Sequence, residues 1–237
     1  MAYHNNPRIV TDGLVLCLDA NAKRSYSGSG STWTDLAQGL SFASQGTTQT
    51  PFTTAGGAKC FQFNNSGWWR CNSGYTQVDM AGPCTLIMWV YPTDLTERDT
   101  IFEKAGTTYQ SYEQEIAVTY ETAENFSWYS RYNTYDYGQT TAMTTNAWNM
   151  MGIKMSTGKV AGTSRSGYYS KNGASWTSNY TARSTNAITT AGEIRVGNGY
   201  AGVVENGYIA QVLVYEKELT NDEILQNYNT FKTRFGL

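Results

Sequence analysis

Histidine is almost missing from this 237-residue sequence, the one imidazole being His4 in a polar N-terminal stretch without strand or helix pattern. That removes Ser-His-Asp and Cys-His nucleophilic centres, histidine general-base chemistry and histidine metal sites, since each needs an imidazole among other side chains. Charge is scarce too, at 15% Asp, Glu, Lys and Arg with a formal net charge of −2. No cluster of Lys and Arg occurs, so the basic stripe that would neutralise phosphates is lacking and nucleic acid is not expected as a partner. No window is apolar enough to span a bilayer, and residues 1–8 lack the apolar core of a signal peptide. The expectation is synthesis and folding in a cytoplasm, with no membrane partner. Cys17, Cys60, Cys71 and Cys84 include no C-x-x-C pair. Cys17, Cys60 and Cys84 stand in alternating apolar runs, which reads as reduced, buried thiols rather than metal ligands. Gly56-Gly57 and Gly197-Asn198-Gly199 precede no helical pattern, so they read as turns and not as a phosphate cradle.

What the chain has in quantity is Gly, Ser, Thr, Asn and Tyr, a mixture that suits short strands joined by polar turns. Period-two apolar patterns recur at Leu14–Leu18, Phe61/Phe63, Ile116/Val118/Tyr120, Phe126/Trp128/Tyr132, Met151/Ile153/Met155, Ile194/Val196 and Ile209–Tyr215. Residues 84–91 are apolar on both faces, the mark of a central strand covered on both sides, with Pro92 ending it. Asn172-Gly173 is a hairpin signal, because both turn positions need positive φ. Thr220-Asn221-Asp222-Glu223 breaks the β pattern as a capping box, with Leu219 and Ile224 placed for a hydrophobic staple. Ile224, Leu225, Tyr228, Phe231 and Phe235 follow at helical spacing, so a helix over 220–235 is expected to lay that stripe on the sandwich. No linker, charge block or repeat divides the sequence, which predicts one essentially complete domain over 1–237 with residues 1–8 as an extended arm.

Several segments together resemble the concanavalin A-like lectin/glucanase (laminin G-like) superfamily, especially its versions in tailed phages. They are IVTDGLVLCLDANAKRSY and GSGSTWTDL near the start, CTLIMWVYP, NAWNMMGIKM, and NGYIAQVLVYEKELTNDEILQNYNTFKTRFGL at the end. The resemblance implies an all-β, two-sheet antiparallel jelly-roll sandwich with a short C-terminal α-helix. It also implies a phage virion structural, decorating or appendage protein, displayed on the particle surface and made in the host cytoplasm. Other virion proteins and further copies of the chain, as a trimer for example, would be its partners. A fold of this kind hosts many functions, so the site must be argued from residues.

A glucanase would need two carboxylates flanking a glycosidic bond. Glu113 and Glu115 are the nearest pair, on one face of a strand by simple alternation, but no third acid follows at Val118. No catalytic residue is assigned; a polysaccharide-degrading enzyme using Glu113 and Glu115 is the alternative reading. No cofactor is expected either. Structural calcium is disfavoured because Ala210 and Gln211 replace the acids that calcium-binding relatives carry, and the turn after Asp35 departs from their Ser-Gly-Asn-Gly type. Glycan binding asks only for aromatic faces and polar hydrogen-bonding groups. The candidates are Trp128, Tyr129, Arg131, Tyr132, Asn133, Tyr135, Asp136 and Tyr137, with Tyr135–Gly138 read as an exposed loop, and a second cluster at Trp68 and Trp69. The same residue types suit a core or a subunit interface, and for Trp128 that packing is the favoured reading. The sequence leaves glycan, partner protein and core open.

Overall fold

The computed structural model describes residues 8–64, 67–72, 75–96, 98–105, 113–121, 125–132, 134–139, 143–156, 164–183, 192–199, 202–203 and 206–237. In chain order the first strands are β1 (Leu14–Asp19), β2 (Thr32–Thr34), β3 (Ser41–Gly46), β4 (Phe52–Ala55), β5 (Ala58–Phe63) and β6 (Gly67–Cys71). The next are β7 (Cys84–Pro92), β8 (Thr100–Ala105), β9 (Glu113–Glu121), β10 (Asn125–Tyr132), β11 (Thr134–Gln139) and β12 (Asn149–Met155). β13 (Ser164–Lys171), β14 (Thr177–Arg183), β15 (Ile194–Val196), β16 (Asn198–Gly199), β17 (Gly202–Val203) and β18 (Gly207–Tyr215) complete the strands, and helix α1 (Asn221–Phe231) follows. The strands form an antiparallel sandwich. Sheet one runs β14-β13-β12-β7-β18-β5-β4, with β1 beside β5 along the same edge of β18; sheet two runs β11-β10-β9-β8-β15-β6-β3-β2.

Alternation sets the two layers. Leu86, Met88 and Val90 of β7 enter the core between the sheets, whereas Ile87 and Trp89 enter a second apolar layer beneath the helix. β7 is thus covered on both faces, which is why its sequence is continuously apolar. Trp89 stacks on Phe235 at 4.0 Å between centroids, so the tryptophan of this strand seats the helix. Sheet two contributes a row across its core face from Trp69 through Val196, Phe102 and Val118 to Trp128. All four cysteines are buried and unbridged. Asn172 and Gly173 have φ of 51° and 74°, giving the turn between β13 and β14.

The helix begins as its sequence requires. Thr220 Oγ1 accepts the Glu223 N–H at 3.2 Å and Glu223 Oε2 accepts the Thr220 N–H at 2.8 Å. Leu219 and Ile224 are both fully buried against the second layer, as a staple requires. The α-helix ends at Phe231, continues as a 3₁₀ turn over Lys232–Phe235, and stops at Gly236 with φ 73°. Leu225 does not join the stripe; it is 44% exposed. Asn227 takes the inward position instead, because Ile224, Asn227 and Phe231 follow one face more closely than Leu225 does. Its Oδ1 accepts the Val10 N–H at 2.9 Å and its Nδ2 donates to Tyr215 Oη at 3.1 Å, while Tyr215 donates to Val10 O at 3.0 Å. Among the described residues no helix is long and apolar enough to cross a membrane. Of the arm expected over 1–8, residues 1–7 lie outside the described residues.

Candidate functional site

Residues directly opposite one another in antiparallel strands share a face of the sheet. On sheet two this rule joins Ala43 to Arg70, Arg70 to Arg195, Arg195 to Glu103, Glu103 to Ala117, Ala117 to Tyr129 and Tyr129 to Tyr137. The row crosses seven strands on the face opposite the core row, the outer face of the sandwich. Trp68 lies two residues before Arg70 and therefore on the same face. Arg131 and Tyr135 form the next outward pair beyond Tyr129 and Tyr137. Pairing across strands far apart in sequence thus aligns Trp68, Arg70, Arg195, Glu103 and the positions of Tyr129, Arg131, Tyr135 and Tyr137 along one face of sheet two.

The described half of this surface is built around a half-buried indole. The Arg195 guanidinium carbon lies 5.3 Å from the Trp68 ring and that of Arg70 lies 5.9 Å from it, both within cation–π reach. Arg195 is only 4% exposed, and a buried guanidinium needs a carboxylate. Glu193 supplies it: its Oε1 accepts from Arg195 Nε at 2.5 Å and also from Nη2, while its Oε2 lies 3.6 Å from Arg70 Nη1. Glu193 therefore holds both arginines against Trp68, and Arg70, a third exposed, is the one that meets solvent. Glu103 is 3% exposed beneath β16, where a Cβ on Gly199 would fall 2.1 Å from its carboxylate. Glycine at 199 is what lets the hairpin cover Glu103. Arg70 stands beside the Trp68-Trp69 cluster in the sequence, but Arg195, Glu193 and Glu103 were not singled out there, where each reads as an ordinary charged position.

The other candidates divide sharply. Trp69 and Trp128 are fully buried in the core between the sheets, so neither presents a face to a ligand. Trp128 reaches the opposite sheet: a Cβ on Gly167 of β13 would sit 2.1 Å from its Cζ2. Tyr135, Asp136 and Tyr137 are not in a loop. They belong to β11, which pairs with β10 from Ser127↔Gln139 to Tyr132↔Thr134, because the alternation of this stretch continues the sheet. Asn133 and the side chains of Tyr129, Arg131, Tyr132, Tyr135, Asp136 and Tyr137 lie outside the described residues. By backbone register Tyr132 and Asp136 share the strand parity of Trp128, and Tyr129, Arg131, Tyr135 and Tyr137 hold the alternate positions.

The carboxylate pair and the calcium reading also meet the structure. Gln114 opposes Arg131 and Ala117 opposes Tyr129, so β9 holds one more residue than β10 between these pairs. This bulge interrupts the regular alternation of β9 there; the side chains of Glu113 and Glu115 lie outside the described residues. The Asp35 carboxylate is engaged by backbone, accepting the N–H groups of Cys17 at 2.6 Å, Ala37 at 3.0 Å and Gln38 at 2.7 Å. It acts as a turn staple. Gln211 donates to the buried Asp19 carboxylate at 3.2 Å, and Arg234 pairs with the same oxygen at 2.8 Å. Among the described residues no group of three or more Asp, Glu, His or Cys side chains could hold a metal ion.

No protein-family model matches the chain, and no curated protein matches its sequence. Solved structures do. The binding domain of botulinum neurotoxin serotype C1 aligns with a TM-score of 0.69 at 12% identity, covering 93% of this chain and 52% of that one. The binding domain of botulinum neurotoxin DC in complex with SialylT gives 0.65 at 14% identity, over 93% and 52%. Trypanosoma rangeli sialidase gives 0.61 at 14% identity, over 94% and 33%. These likenesses show the fold, a two-sheet antiparallel β-sandwich. The chain spans about half the length of the neurotoxin structures and about a third of the sialidase.

Proposed function

We propose that the chain is a non-enzymatic glycan-recognition protein carried on a phage particle, and that it binds sugar across the outer face of sheet two. The observation that carries this reading is the cross-strand row that brings Trp68, Arg70 and Arg195 into line with the positions of Tyr129, Arg131, Tyr135 and Tyr137. The half-buried Trp68 indole, with two guanidinium groups beside it, brings apolar ring surface for a pyranose together with Arg70 donors for its hydroxyls. The similar neurotoxin structure in complex with SialylT supports the recognition half of the proposal. The phage half rests on the first and last segments, Ile9–Tyr26 and Asn206–Leu237, which resemble those of phage structural proteins. Further virion proteins and copies of the chain, as a trimer, are the partners this reading names. It needs no cofactor.

The test is a glycan array with the intact protein, followed by titration of any hit against Trp68→Ala and Arg70→Ala. Each variant should weaken binding at least tenfold while the far-UV circular dichroism stays that of the parent. An array without hits, or hits indifferent to both substitutions, refutes the site. Mass spectrometry of purified particles tests the location, and absence of the chain from them refutes it.

A further inference from the structure

A second surface lies away from the sheet face, at the open edge where β4 closes sheet one and β2 closes sheet two. Two contiguous hollows of about 360 and 310 Å³ share Tyr26, Gly28 and Phe52. One wall is the turn 27–30, held in place because Tyr26 Oη donates to Gly30 O at 2.9 Å and Gln49 Nε2 donates to the same carbonyl. The floor is aromatic: Phe52 is half-buried, 4.8 Å from Tyr26 and 5.5 Å from Phe61 between centroids. The rim is cationic. Lys23 and Lys59 are exposed, both border the smaller hollow, and Lys59 Nζ stands 5.7 Å from the Phe52 centroid.

Among the described residues no carboxylate lines either hollow and neither lysine forms an ion pair. The Asn21 side chain fixes the second lysine's backbone from both sides, accepting Lys59 N–H at 2.9 Å and donating to Lys59 O at 2.8 Å. Among the described residues, two lysines without an ion pair thus border a hollow that the half-buried Phe52 ring lines. An apolar ring face with adjacent cations suits a ligand that is flat on one side and anionic at its edge.

We propose that this hollow binds an acidic sugar residue, its ring against Phe52 and its carboxylate or sulfate between Lys23 and Lys59. The inference rests on the chain being a glycan binder but uses a surface separate from that around Trp68. The experiment compares matched acidic and neutral probes at low salt by isothermal titration: sialyllactose against lactose, and trigalacturonate against its methyl ester. At least one acidic probe should bind ten times more tightly than its neutral partner. The double variant Lys23→Gln/Lys59→Gln should bring the pair within twofold with an unchanged unfolding midpoint, because both side chains are exposed. Trp68→Ala should leave the preference for the acid intact. Equal binding of acidic and neutral probes by the parent overturns the inference, and so does an acid preference that survives in the double variant. A preference abolished by Trp68→Ala also overturns it, by placing the acid on the sheet face. Neutral sugar bound through Trp68 without acid preference would leave the sheet-face reading standing and remove only this one.

Discussion

Asn227→Ala is the perturbation whose cost can be worked most directly. Asn227 is fully buried on the inner face of α1 and joins three parts of the chain, the segment at Val10, the end of β18 at Tyr215 and the helix itself. Alanine deletes both side-chain hydrogen bonds, each worth about 1 kcal/mol net. It also strands the Val10 N–H, in a residue 7% exposed, and an unpaired buried donor costs about 1–3 kcal/mol. The Tyr215 hydroxyl still donates to Val10 O, so that link survives and limits the loss. The expected destabilisation is about 2–4 kcal/mol. With a urea m-value of about 2–3 kcal/mol/M, the midpoint should fall by about 0.7–2 M at constant m. Amide exchange at Val10, slow in the parent, should accelerate in the variant more than exchange in β9 or β10. Tyr215→Phe closes a double-mutant cycle, and the coupling between the two sites should exceed about 0.5 kcal/mol. A loss below about 1 kcal/mol, or unchanged exchange at Val10, would show that water satisfies these groups and that the network ties nothing together.

Gly167→Ala should destabilise by about 3 kcal/mol or more in urea, since its Cβ would land 2.1 Å from the Trp128 ring, and Trp128→Phe should recover part of that loss; an unchanged midpoint would sink the account. Burial, aided by the Asp19 and Asp35 carboxylates, pushes the Cys17 thiol up to about 12, and burial pushes Cys60 up to about 12, against an ordinary value of 9.0. Between pH 9 and 12 the unfolded chain loses these protons first, so stability should be complete below pH 9 and fall by about 1.4 kcal/mol per pH unit per thiol above it. A flat stability profile over that range, or rapid reaction of native Cys17 and Cys60 with a thiol reagent at pH 8, would contradict this. Thr220→Ala removes the helix cap and should cost about 1 kcal/mol by chemical denaturation, with no cost meaning that the first turn is held by Lys217 alone, which reaches Glu223 at 2.7 Å.

How much of this could be seen beforehand depended on whether the cause was local. β7 announces itself because both its faces are buried, and the helix start because Thr220 and Glu223 are three residues apart. Asn172-Gly173 similarly carries its own turn. Leu225 and Asn227 exchanged roles because helical spacing admits either, and only the Val10 amide and the Tyr215 hydroxyl make an asparagine the better inward residue. The candidate site was legible only in part. Trp68 and the tyrosines of β10 and β11 stood out by type, yet their union with Arg195 depends on pairing between residues more than a hundred positions apart, which no local pattern encodes. The bulge of β9 against β10 was equally invisible, because alternation cannot announce one. Trp128, for which packing was the favoured reading, is fully buried and bridges the sheets by its size.

β18 sits at the centre of sheet one, flanked by β7 on one side and by β1 and β5 on the other. Leu18 pairs with Val212, so the first strand waits for a partner made nearly at the end. At roughly 5–20 residues per second of synthesis, that interval is about 10–40 seconds. During it β1, β5 and β7 carry unsatisfied edges and apolar faces with no native neighbour to receive them. The middle of sheet one is thus closed by a strand that is made about two hundred residues after its first neighbour, so β1 is held without its native partner through most of the synthesis of this sandwich.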